Sequence, residues 1–139
     1  MPKQIPVRMA GAQIPCTPSV KDNVEHIKKA IDYAVENRCD YLVTPEGALS
    51  GYDHGGIAAT TFGIDPFENL SELEDGLKTV EAYAKDKVGL CLGTLWKEKE
   101  RFGDIGRNQI RFYAKDGQLR GATNKSFCIN PQDLPFLEH

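Results

Sequence analysis

Two stretches of this sequence carry apolar residues at helical spacing, each flanked by short apolar runs, and that alternation confines the chain to an α/β architecture. The first stripe is Val20, Val24, Ile27, Ile31 and Ala34, and the second is Leu73, Leu77, Val80 and Ala84. Asp22, Glu25, Lys28, Lys29 and Asp32 fall elsewhere on the first cylinder and make a solvated surface. Ser19 is placed to cap the first helix with Asp22 as its capping-box partner, and Ser71 stands in the same relation to Glu74. Residues 7–14, 41–44 and 88–96 read as strands, the second closed by Pro45, which cannot donate to a ladder. Residues 97–107 are polar and charged and read as a connecting loop. Ile110, Phe112 and Ala114 then alternate with Arg111 and Tyr113, Asp116-Gly117 signals a two-residue turn, and 119–123 returns as a partner strand. The order is strand, helix, strand, helix, strand, hairpin, with the helices expected on one face of a sheet.

At 139 residues the chain suits one domain, and it shows no repeat or linker. Its lysines and arginines are scattered and its net charge is −3, so nucleic acid is not an expected partner. No stretch resembles a membrane span and residues 1–20 lack the pattern of a secretion signal, so the expected setting is cytoplasmic, with no membrane partner. Cys16, Cys39, Cys91 and Cys128 form no C-x-x-C pair, and His26, His54 and His139 do not supplement them at ligand spacing. No metal is expected, and reduced thiols fit the setting. Cys39 and Cys91 read as buried apolar filler. Neither Gly-x-Gly-x-x-Gly nor a phosphate-loop lysine follows the first strand, so no nucleotide cofactor is expected. The glycine-rich stretch 47–65 is long for a loop without structure, and such loops are often functional. Leu137-Glu138-His139 reads as the vector-encoded start of a polyhistidine tag, leaving 1–136 as the natural domain sequence.

Two residues could carry chemistry. Glu46, in Thr44-Pro45-Glu46-Gly47, follows a strand end directly and faces a glycine-rich loop, a good place for a general base. Lys125, just after the hairpin, could hold negative charge on a tetrahedral intermediate. Alone, each has a plainer reading, Glu46 as a brace for the loop and Lys125 as a surface lysine.

Together with their surroundings they are more specific, because the chain resembles the nitrilase superfamily of carbon–nitrogen hydrolases along nearly its whole length. Val7-Arg8-Met9-Ala10-Gly11-Ala12-Gln13 resembles that family's first strand, and Asn23 falls where the family usually has asparagine. Tyr41-Leu42-Val43-Thr44-Pro45-Glu46 matches its apolar strand ending in Pro-Glu, and Ser50-Gly51-Tyr52 the segment after it. Asn108, Asp116-Gly117, Gly121 and Lys125 then follow in order and in register, with a spacing that paired hairpin strands would fix.

The resemblance implies the N-terminal half of a four-layer α-β-β-α sandwich and an enzyme that hydrolyses an amide, nitrile or N-carbamoyl substrate. It places Glu46 as general base and Lys125 as catalytic lysine of a Glu-Lys-Cys triad. The cysteine would lie on a later strand beyond this chain, making 1–136 a truncated and inactive domain. Three departures stand out. Cys128 comes too soon after Lys125 to be the nucleophile and reads as structural. Thr123, Asn124, Ser126 and Phe127 surround the lysine where the family often has an aromatic and a basic residue before it and His-Leu after it. The family's second glutamate has only Asp133 as a substitute, as a substrate-positioning acid or a plain loop residue. Amidase or carbamoylase activity is the expected branch, and a homo-oligomer the expected assembly. A non-catalytic binding or assembly domain of the same fold is the competing reading.

Overall fold

The computed structural model describes residues 5–51, 70–101 and 103–126. Among the described residues seven elements follow in order: β1 (Met9–Gly11), α1 (Val20–Glu36), β2 (Tyr41–Val43), α2 (Leu70–Ala84), β3 (Gly89–Glu100), β4 (Gly103–Tyr113) and β5 (Leu119–Asn124). The strands form one sheet in sequence order, β1-β2-β3-β4-β5. The β1–β2 and β2–β3 pairs are parallel, each joined by a helix, and β3–β4 and β4–β5 are antiparallel.

The helices form where the apolar stripes lie. The Ser19 side chain accepts from the Asp22 amide and opens α1, and such a cap stabilises a helix by about 1 kcal/mol. Every residue of both expected stripes is buried, with Ile27, Ile31, Leu73 and Val80 wholly inaccessible. They pack on Leu42 of β2 and on Leu90 and Leu92 of β3 in one core. Both helices therefore cover the same face of the sheet, since Leu90 and Leu92 point to one side and Cys91 and Gly93 to the other. Gly76 lets the helices approach, because a Cβ there would stand 2.5 Å from a Val20 methyl.

Four expectations need correction. Ser71 does not cap the second helix, because α2 already opens at Leu70 and Ser71 lies within its first turn. The first strand pairs over only Met9–Gly11 rather than 7–14, because β2 offers only three residues to pair with; one further bond, from the Ala12 amide to the Val43 carbonyl, ends the ladder. Residues 97–107 are not a connecting loop. They are the far end of a long hairpin, with Trp96 opposite Arg107 and Glu100 opposite Gly103. The turn after β4 is not a two-residue one. Ala114 donates to Gln118, the loop is Lys115-Asp116-Gly117, and Gly117 takes a φ of 81° that suits glycine. The extra residue leaves a bulge, so that Phe112 faces Gly121 and Tyr113 faces Leu119.

The face away from the helices is apolar and open among the described residues. Met9, Tyr41, Ile110 and Phe112 lie on it and are 59%, 38%, 41% and 40% exposed. Glu46 and Lys125 meet at the edge of this face.

Candidate active site

Glu46 stands on a turn that the sequence pins to β3 in place of a continued ladder. After β2, the Thr44 amide donates to the Cys91 carbonyl at 2.9 Å, and the Thr44 hydroxyl accepts from the Gly93 amide at 3.0 Å. The Leu49 amide then donates to the Gly93 carbonyl at 3.2 Å, and the buried Ser50 hydroxyl accepts from the Leu95 amide at 2.9 Å. Side-chain oxygens thus replace strand carbonyls, so residues 44–50 stay attached to β3 while their backbone turns away from it.

Asn23 holds the same turn from the helix side. Wholly buried in α1, its side-chain amide donates to the carbonyls of Thr17 and Leu49, and its oxygen accepts from the Thr17 amide. The Asn23 amide is wholly buried, and a buried polar group that loses its partner costs about 1–3 kcal/mol. The Glu46 backbone is therefore rigid, although its side chain is 45% exposed.

Lys125 arrives from the other direction. It follows β5, and its amide donates to the Asn108 carbonyl of β4 at 2.8 Å, one step past the Gln109–Asn124 pair. On the helix side the same strand end is gripped by Gln109, whose buried amide donates to the Asn124 side chain at 3.0 Å and to Glu98. From this base the Lys125 ammonium reaches Glu46 Oε1 at 3.0 Å. The side-chain amide of Asn108 donates to that same oxygen.

The sequence-predicted pair, 79 positions apart, is thus brought into one ion pair. Asp133 and Cys128 lie outside the described residues. Asn108 appears in the sequence only as a family landmark; its hold on Glu46 needed the fold to be seen. At 28% and 45% exposure an ion pair adds roughly 0–1 kcal/mol to stability, so the arrangement matters more for chemistry than for holding the fold. A cavity of about 250 Å³ lies against the pair, lined by Glu46, Asn108, Ile110, Thr123, Asn124 and Lys125. A larger apolar groove of about 380 Å³, between β1 and α1, brings no such convergence of charged groups.

The described thiols do not donate to this carboxylate. Cys16 lies 3.7 Å from the backbone carbonyl of Glu46, and burial pushes its thiol above the ordinary range. Cys91 sits mid-strand in β3, and partial burial raises its thiol likewise; it and Cys39, expected as buried filler, are only partly buried. Among the described residues no group of histidine, cysteine and carboxylate could hold a metal ion, and no helix there is long and apolar enough to cross a membrane.

No curated protein matches the sequence. An amidase from Nesterenkonia sp. superposes with a TM-score of 0.71 at 18% identity, covering 95% of this chain and 47% of that one. A double mutant of the amidase from Nesterenkonia sp. AN1, in complex with acrylamide, gives a TM-score of 0.72 at 16% identity, over 98% of this chain and 50% of the other. A single mutant in complex with butyramide gives 0.71 at 18%, over 95% and 48%. The chain spans about half the length of these structures, and at such identities they speak for the fold. The family model for carbon–nitrogen hydrolases, in contrast, matches residues 7–139, nearly the whole sequence, and with it the chain belongs to the carbon–nitrogen hydrolase family.

Proposed function

We propose that Glu46 and Lys125 are the general base and the oxyanion-stabilising cation of an amidase that works through a cysteine thioester. The single observation supporting this is their meeting at 3.0 Å beside a cavity, from strand ends far apart in sequence. In this reading Glu46 takes the proton of the attacking thiol, the sulfur bonds to the substrate carbonyl carbon, and the ammonium of Lys125 holds the negative oxygen. The carbonyl re-forms as the C–N bond breaks, and Glu46 returns the proton to the leaving amine. Water, deprotonated by the same carboxylate, then cleaves the thioester.

A small neutral amide suits the site. Beside the charged pair, Ile110 and Thr123 offer an apolar wall. Acrylamide and butyramide, bound by the amidases of the same fold, are of this kind. Nitriles and N-carbamoyl compounds are the related substrates to compare.

The attacking thiol is assigned to neither Cys16 nor Cys91, whose protonated forms are stabilised by burial. Residues 1–139 alone are accordingly expected to be inactive, with Cys128 as a structural residue and Asp133 as a substrate-positioning acid. The open sheet face would be covered in a homo-oligomer. A cytoplasmic setting suits an enzyme dependent on reduced thiols.

The test is turnover of a panel of small amides, nitriles and N-carbamoyl compounds by the protein at the full length its gene encodes. Ammonia release from the amides, reduced by roughly 100-fold or more in Glu46→Gln, is the expected result. Undiminished release in that variant would remove Glu46 from the chemistry. No release from any compound would favour a non-catalytic domain of this fold.

A further inference from the structure

The structure assigns to Asn108 a positioning role: it fixes the Glu46 carboxylate through its side chain and the Lys125 backbone through its carbonyl, so that one residue sets the geometry of both reacting groups. This rests on the reading of Glu46 and Lys125 given above and adds the residue that joins them.

Asn108 lies on β4, 7% exposed, and its surroundings leave its side chain little choice of direction. Its neighbour Gln109 points to the helix side, where it binds Asn124 and Glu98. Asn108 itself points to the open side, where its Nδ2 donates to Glu46 Oε1. Its carbonyl accepts the Lys125 amide at 2.8 Å. The two strands and the turn are thus joined at one residue.

The chemistry of the contact follows from what each group can do. An asparagine amide nitrogen is a donor only, so it favours the ionised carboxylate over the protonated acid. Oε1 receives both this donor and the Lys125 ammonium, and its lone pairs are drawn toward them. Oε2 is then the more basic oxygen, and the rotation of the carboxylate that presents it is fixed. Lys125 is long and flexible and would not fix that rotation alone; a buried amide on a rigid strand does. An aspartate has the same shape but puts a second carboxylate against the first, and an alanine leaves Glu46 to swing with Lys125.

Two measurements test this. In the 139-residue chain, the side-chain amide resonances of Asn108 are compared between the unaltered protein and Glu46→Gln. They should shift clearly on that substitution, since Nδ2 donates to Glu46 Oε1. In the full-length protein, Asn108→Ala should lower kcat by about 100-fold, the loss expected when a reacting group is misplaced by about 1 Å, with KM little changed. Asn108→Ser, which keeps a donor, should recover part of it, and Asn108→Asp should be as poor as alanine. Asn108 resonances indifferent to Glu46, or an aspartate variant with full kcat, would overturn the positioning role while leaving the Glu46→Gln result to judge the base separately. Should the alanine variant fail to fold, the resonance measurement on the unaltered chain still decides.

Discussion

A methyl group on Gly93 would lie 2.2 Å from the Pro45 carbonyl oxygen and 3.0 Å from the Glu46 Cα. The turn bearing the candidate base passes directly over this strand residue, and only a hydrogen fits between them. Gly93→Ala should therefore cost about 1–3 kcal/mol, the usual penalty for overpacking, read as a lower midpoint in urea denaturation. The thiols give a second expectation at this scale. With the protonated forms of Cys16 and Cys91 favoured by burial, both should react with iodoacetamide more slowly at neutral pH than a free cysteine peptide does. Because the shifts are upward, the rates should climb only as pH passes beyond the ordinary thiol range. Mass spectrometry of the digested protein would read each site. Glu46 and Lys125 were legible in the sequence because they stand in an ordered set of family landmarks. Gly93 was not, since contact between the backbones of residues distant in sequence leaves no local pattern.

Among the elements, the two helices were the most legible, because both stripes keep helical periodicity and, for α1, the cap agrees with it. The stripes named from spacing are the buried residues, and Ser19 is the cap. Ser19→Ala should lower stability by about 1 kcal/mol, measurable by chemical denaturation. The far half of the β3–β4 hairpin reads as loop because it lacks apolar alternation. Polar and charged side chains hold it instead, with Glu98 Oε2 3.6 Å from Arg107 Nε on the neighbouring strand, and nearer the core Arg111 stacks on Trp96 at 4.7 Å while donating to the Tyr113 hydroxyl. Such cross-strand contacts are each worth roughly 0.2–1 kcal/mol, enough in number to hold a hairpin whose sequence reads as loop. Tyr113 shows how the polar layer joins the core. Burial, aided by a hydrogen bond to Glu81 and opposed by Arg111, pushes its hydroxyl far above the usual phenol range, so it stays protonated.

For the whole molecule, the architecture is a sheet with helices on one side, matching about half the length of amidases that share its fold. Its other side exposes Met9, Tyr41, Ile110 and Phe112 together. A soluble monomer rarely leaves an apolar patch larger than a few hundred Å² uncovered. The 139-residue chain is therefore expected to self-associate through this face, and Phe112→Glu to shift it toward monomer; sedimentation velocity at micromolar concentration would show either. A monodisperse monomer would contradict the expectation. The central claim concerns the two residues at the edge of that face, and rapid-quench mass spectrometry of the full-length protein with a small amide tests it most directly. The account predicts an acyl adduct on a cysteine, labile to hydroxylamine as a thioester is, whose formation slows by orders of magnitude in Glu46→Gln and in Lys125→Ala. An adduct forming in both variants as fast as in the unaltered protein would contradict it.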